Sequence, residues 1–326
     1  MSAPYPHERR RDAGLVLALT AALTFGSSGP FAKPLIEAGL SPLQVTWLRV
    51  AGAALVMLPL AVRHRGLLWR RPTLVIGYGL FAIAGVQAFY FAALARIPVG
   101  VAILIEFLGP VLVLLWIRFG ARRPVSRRAA VGVVLAVTGI ACVVEVWSGL
   151  RFDVIGLLLG FGAAMCQVVF FVLSDVDDAT DDSPASPIAM ISHGFLVGAV
   201  ALTVIAQPWR IDWQVMGAAV PVGDSAAHGA LLVGWIILVS TVIAYLAGVN
   251  AVRRLSAQVA AAVACLEVVV AAAVAWIALG EALSAVQIVG GVVVLAGAFV
   301  AQTAAVAKSS ATPAPEPEPQ PEPAPA

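Results

Sequence analysis

The chain is 326 residues long, 61% hydrophobic and only 12% charged, with a mean hydropathy of +0.96. A soluble domain is nearer half apolar and a quarter charged, so the composition excludes a water-soluble fold and, away from the ends, excludes disorder. The net charge of +2 says little by itself. What remains is a polytopic membrane protein: a spanning helix needs roughly 20 apolar residues, so this length holds about ten.

Residues 1–12 form a short cytoplasmic segment in which Arg9, Arg10 and Arg11 lead into the first apolar run. That is how a secretory signal begins, but the run continues through Gly26, Ser27, Ser28 and Gly29 to Phe31 with no small-x-small cleavage site, so a retained helix is expected. Apolar runs between breakers predict helices over 13–32, 42–62, 73–95, 98–118, 127–147, 154–174, 185–206, 228–252, 256–278 and 284–304. The runs are continuous rather than alternating, which favours helices over a barrel. Residues 305–326 end in PAPEPEPQPEPAPA, a disordered, solvated cytoplasmic tail. With the N-terminus inside, fifteen Lys and Arg fall on the cytoplasmic side and four (Lys33, Arg96, Arg151 and Arg210) outside. The positive-inside rule then predicts both termini in the cytoplasm. The basic loop Arg118–Arg128 reads as a topology determinant resting on anionic lipid. It carries no interleaved aromatics, so no nucleic-acid partner is expected. The acidic stretch Asp175–Asp182 carries little weight in the rule. Cys142, Cys166 and Cys265 all lie in apolar runs and read as small buried hydrophobes.

The two halves resemble each other. Arg96, Leu108, Ser126 and Gly132 recur as Arg254, Leu266, Ser284 and Gly290, all at an offset of 158. Trp116 and Gly120 recur as Trp276 and Gly280 with a two-residue gap, and Ser41-Pro42 as Ser186-Pro187. Residues 13–147 and 148–304 thus form two five-helix repeats. Five is odd, so the second enters the membrane from the opposite face. The expected fold is all-α: ten transmembrane helices as two inverted repeats, an arrangement common among secondary transporters.

On these residues the chain resembles the drug/metabolite transporter superfamily, of the EamA-domain type, over residues 13–304. PVGVAILIEFLGP at 98–110, FGSSGPFAK at 25–33, VTWLR ending at Arg49 and STVIAYLAGVNAVRRL at 240–255 look most like its threonine/homoserine exporter branch. The resemblance implies a central cavity between the repeats and export of small metabolites or amino acids across the inner membrane. One departure stands out. The family's ninth-helix glutamate is usually followed by proline, and here Glu267 is followed by Val268.

A charge at the bilayer centre costs from about 2.5 kcal/mol upward, so each one needs a reason. Glu106, nine residues into its predicted span, is a candidate proton or substrate-ammonium site. Its competing reading is a neutral carboxyl in one interhelical hydrogen bond. Glu267 aligns with Gly109, three residues past the Glu106 position and so on roughly the same face. It is a candidate second titrating group. Arg49 suits a substrate carboxylate or a structural ion pair. Lys33 offers positive potential near the outer end of the first span, where Pro30 and Pro34 interrupt the helix. Gln87, Tyr90 and Tyr245 can orient substrate, with Gln167 and Asn250 as further polar groups on inner helices. His193 is a candidate titrating group near the cytoplasmic side. The expected partners are a small-molecule substrate, protons as coupling ion and membrane lipid; a homodimer stays open. No cofactor or metal is expected, since neither a nucleotide-binding loop nor zinc spacing occurs. Two rivals remain: a flippase for a lipid-linked substrate, marked by a lateral opening, and an intramembrane hydrolase using Ser27 or Ser28 with His193.

Overall fold

Apolar runs become helices, and the chemistry at each end decides where they stop. The computed structural model describes residues 6–120, 122, 126–143, 145, 153–178, 186–252, 254 and 257–309. Its long helices are α1 (Pro6–Gly26, resuming as Ser28–Glu37), α2 (Pro42–Arg63), α3 (Pro72–Leu94), α4 (Val99–Gly120) and α5 (Arg127–Val143) in the first half. The second half holds α6 (Val154–Asp178), α7 (Pro187–Ala206), α8 (Gly229–Ala251), α9 (Ala257–Leu279) and α10 (Ala285–Ser309). Among the described residues, α1–α4, α7 and α8 are long and apolar enough to cross a membrane, and α5, α6, α9 and α10 add shorter apolar stretches. Large apolar side chains such as Leu55, Val204 and Ile277 are exposed. Such a surface is suited to lipid rather than water. The chain is a multi-pass membrane protein. Of the predicted disordered tail, residues 305–309 instead continue α10 as helix, and the rest lies outside the described residues from 310 onward, as do residues 179–182 of the acidic stretch.

Two regions differ from the sequence expectation. The first helix was expected to stop near 32 but runs to Glu37. Pro30 falls in the opening turn of its second segment, where a backbone donor has no intrahelical partner to lose, so the helix restarts instead of ending. Residues 207–227, left between two predicted helices, fold with His228 into a short helix (Gln214–Gly217) and an antiparallel hairpin of β1 (Ala219–Val222) and β2 (Ser225–His228). Gly223 turns the hairpin at φ +57°, a left-handed conformation that glycine adopts without strain. On the same side, Asp153 caps α6 and takes a 2.6 Å hydrogen bond from Arg96. The arginine and the N–H groups of Ile155 and Gly156 hold this carboxyl below the usual range.

The helices α5 and α10 cross backbone to backbone. A Cβ built on Gly139 would lie 2.7 Å from the Gly290 carbonyl oxygen, and one on Gly290 would lie 2.8 Å from that of Gly139. Gly297 meets the Gly132 carbonyl in the same way, at 2.7 Å. Gly290 and Gly297 stand 158 residues beyond Gly132 and Gly139. Gly139 therefore faces the equivalent of Gly132, and Gly132 the equivalent of Gly139, in antiparallel order, which is the reciprocity of a two-fold contact. Small residues allow such close approach in a membrane, where apolar burial does not drive helices together. Gly139→Ala is expected to lower stability by about 1–3 kcal/mol through overpacking. The unfolding midpoint of the detergent-purified protein measures this; an unchanged midpoint would show that the two backbones separate freely.

Candidate functional site

Three helix irregularities open a polar site inside an apolar bundle. In α1, Pro30 supplies no N–H for the Gly26 carbonyl, and the helix breaks at Ser27. Ser27 and Ser28 are buried there. In α4, Pro110 supplies no N–H for the Glu106 carbonyl, and the helix turns at Phe107–Leu108 directly after that glutamate. In α8, residues Leu238–Ile243 adopt π-helical register. The Ala244 N–H reaches the Val239 carbonyl and skips that of Ser240. A carbonyl left over in this way is free for another donor, and such bulges occur often at functional sites.

Arg49 of α2 supplies that donor. Its Nη2 donates to the Ser240 carbonyl at 3.1 Å, and its Nε to the Thr241 hydroxyl at 2.7 Å. Its Nη1 donates to Ser28 Oγ at 2.5 Å and to Gln87 Oε1 at 2.7 Å. The guanidinium also stands 5.4 Å from the centre of the Phe91 ring, a cation–π contact. Arg49 is 2% exposed. Among the described residues, neither Glu106 nor Glu267 forms an ion pair with it within 4.0 Å. A buried charge is costly unless compensated, and here four neutral oxygens and a ring share the task. The positive charge is held in place without being neutralised at contact distance.

A cavity of about 30 Å³ adjoins it, lined by Phe25, Ser28, Arg49, Gln87, Tyr90, Ile103, Glu106 and Glu267. That volume admits one or two waters and no amino acid, so the site is too narrow for such a substrate in this conformation. Five of the sequence candidates share this wall: Arg49, Gln87, Tyr90, Glu106 and Glu267. Tyr245 stands behind it, hydrogen-bonded to Gln87 and packed edge-on against Phe25 at 4.9 Å and Phe195 at 5.1 Å. Gln167 of α6 donates to Glu106 Oε1 at 3.1 Å, so the second half of the chain orients a carboxyl of the first. Close approach is built in. A Cβ on Gly29 would meet the Tyr90 hydroxyl at 2.5 Å, and one on Gly26 would meet the Glu267 carbonyl at 2.7 Å.

Two candidates lie elsewhere. Lys33 does not line the cavity; it pairs with Glu281. His193 is buried in α7 with Nδ1 2.8 Å from the Ala189 carbonyl, one turn back on its own helix. Of the two serines offered as a hydrolase nucleophile, Ser27 shares a hydrogen bond of 2.8 Å with Ser240 and accepts one from Trp235 at 3.0 Å. Ser28 accepts from Arg49. Sequence reading passed over Phe25, Ile103, Ser240 and Thr241. The apolar pair carries no signal beyond span composition, and Ser240-Thr241 gains its role from a π register that no residue announces.

The EamA-like transporter family matches residues 12–145 and, a second time, residues 154–303. The chain belongs to this family. Among similar proteins, the threonine/homoserine exporter RhtA of Salmonella typhimurium LT2 is 28% identical over 278 residues, covering 84% of this chain and 86% of that one. The Escherichia coli K12 protein of the same name is 26% identical over 277 residues, with the same coverage. An uncharacterized transporter of Archaeoglobus fulgidus is 26% identical over 304 residues, 90% of this chain and 96% of its own. A solved crystal structure superposes with a TM-score of 0.56 at 20% identity, covering 93% of this chain and all of the other. This EamA-family chain shares the fold of that structure.

Proposed function

We propose that the chain is a secondary exporter of small zwitterionic metabolites, with amino acids such as threonine or homoserine as the cargo. Ten helices in two inverted repeats alternate access to the cavity across the inner membrane, both termini lie in the cytoplasm, and protons drive the cycle. One observation carries this reading: one small cavity sets a fixed guanidinium against two carboxyls. An amino-acid zwitterion presents the complementary pair, a carboxylate for Arg49 and an ammonium for Glu106 or Glu267. The cavity draws on both halves, since Arg49 takes Ser28 and Gln87 from one and Ser240 and Thr241 from the other. The reciprocal α5–α10 crossing and the two family matches support the inverted repeat. The names of the bacterial relatives support the cargo and the direction.

A lipid-linked cargo would need a path from the site to the bilayer. A lateral groove of about 310 Å³ does run between α9 and α10, lined by residues such as Ala273, Trp276, Glu281 and Ile288, but it shares no lining residue with the polar cavity. That separation favours the amino-acid reading. The test is efflux of a labelled amino-acid panel from cells expressing the protein, with and without a proton uncoupler. Selective loss of one or a few amino acids, abolished by the uncoupler, is expected. Uniform retention across the panel would reject amino-acid cargo.

A further inference from the structure

The strongest feature outside the cavity is the ion pair that Lys33 makes with Glu281. Its geometry follows from the sequence. Gly280 ends α9 at φ +69°, with its own N–H on the Trp276 carbonyl and the Glu281 N–H on that of Ala275. This is an αL-type cap, and it turns the chain so that Glu281 faces back across the bundle. One oxygen of Glu281 then meets Lys33 Nζ, and the other accepts the Val99 N–H at 2.8 Å. Val99 begins α4, so its N–H is one of the donors a helix start leaves unfilled, and an acidic side chain is favoured there. Both charged side chains are largely shielded, at 16% and 15% exposure. One carboxylate thus ties together α1, α4 and the end of α9.

Those three helices also carry the cavity. Ser28 lies five residues before Lys33 on α1, Glu106 seven residues after Val99 on α4, and Glu267 fourteen residues before Glu281. Each partner of the tie is rigidly connected to a cavity residue through helix. At about 1.5 Å per residue, the pair sits roughly 10 Å along α4 from Glu106. The β1–β2 turn braces the same end, because Gly223 sits directly against the Ala278 carbonyl.

We infer that Lys33, Glu281 and the Val99 N–H form a latch that holds the cavity closed at the end where α1 finishes, and that opening toward that side requires the Lys33–Glu281 pair to break. The inference rests on the carrier reading for its purpose. Under the proposed orientation the latched end is extracytoplasmic. Breaking the pair shifts a population between closed and open states; it creates no new path.

The test places a cysteine at the cavity wall, Ile103→Cys, in a chain whose three native cysteines are alanine, and follows its labelling by a membrane-impermeant thiol reagent. Right-side-out and inside-out vesicles are compared. Lys33→Gln and Glu281→Gln are each expected to raise the labelling rate roughly tenfold from one side only, as a population shift toward one open state does. Lys33→Arg keeps the charge and is expected to label at the parent rate. A rise confined to inside-out vesicles would keep the latch and overturn the orientation. Equal rises from both sides, or a rise that tracks a lowered unfolding midpoint, would overturn the latch in favour of general loosening. Unchanged labelling would overturn it outright. The carrier reading is judged separately by the efflux panel.

Discussion

Arg49→Met is expected to abolish transport while leaving stability within about 1 kcal/mol of the parent. The two halves of that expectation have one cause. Arg49 is buried without a contacting carboxylate and is held by Ser28, Gln87, Thr241 and the Ser240 carbonyl. Removing it strands no opposite charge, and it removes the cost of burying a cation. Thr241 retains its own bond to the Ile236 carbonyl. Transport differs, because a substrate carboxylate entering the closed site would meet two carboxyls and no cation. Truncating one partner of a buried charge pair costs about 2–5 kcal/mol, or roughly thirtyfold to several-thousandfold in affinity. Arg49→Lys is expected to fail nearly as badly, because an ammonium cannot reproduce a planar fork that reaches four acceptors on three helices. The measurement is uptake into inside-out vesicles of an amino acid and of the amine that lacks its carboxyl. The parent should discriminate strongly in favour of the amino acid, and both variants should not. Retained discrimination in Arg49→Met would remove the carboxylate role from this residue.

The site was legible where lipid makes polarity expensive. Arg49, Glu106 and Glu267 stand out in apolar runs because a charge at that depth needs a reason, and the structure brings all three to one wall. Gln87 and Tyr90 joined them on weaker grounds, as polar groups on inner helices. The structure places Lys33 and His193 away from this wall. Polarity shows that a residue needs a partner but does not say which one. Lys33 finds Glu281, which lies 248 residues away and just past the end of a span, where a carboxylate costs little and attracts no notice. His193 finds a carbonyl on its own helix. The fold was read well where the signal was apolar length and poorly where it was register. The π segments of α3 (Tyr78–Gly85) and α8 have the composition of their neighbours. The hairpin did leave a trace, the Gly223-Asp224 pair between short β-prone runs, and span counting passed over it. The offset of 158 proved informative beyond the four pairs first noticed, since it also relates Gly139 to Gly297 at the crossing.

Glu106→Gln and Glu267→Gln are expected to fail in different ways. Glu106 accepts the Gln167 amide at 3.1 Å beside the turn in α4. A carboxyl so oriented is an acceptor ready for a substrate ammonium, and it needs its charge at the moment of binding. Glu267 has no comparable side-chain donor among the described residues, and its backbone abuts Gly26 at the break in α1. The proposed proton role falls to this less constrained carboxyl. In so small a cavity the charge of each carboxyl depends on that of the other and on the fixed guanidinium, with Tyr90 on the same wall and Tyr245 behind it. Glu106→Gln should therefore lose both net efflux and one-for-one exchange of labelled for unlabelled substrate. Glu267→Gln should keep exchange, which needs binding and alternation but no net proton movement, and lose accumulation driven by a pH gradient. Its exchange rate should also become flat across the pH range in which the parent varies. Reconstituted vesicles with an imposed gradient separate the two readouts. Normal pH-dependent efflux by Glu106→Gln would sink its assignment. Gradient-driven accumulation by Glu267→Gln would move the proton to Glu106. Loss of exchange in both variants would make the two carboxyls a single binding unit, with neither reserved for coupling.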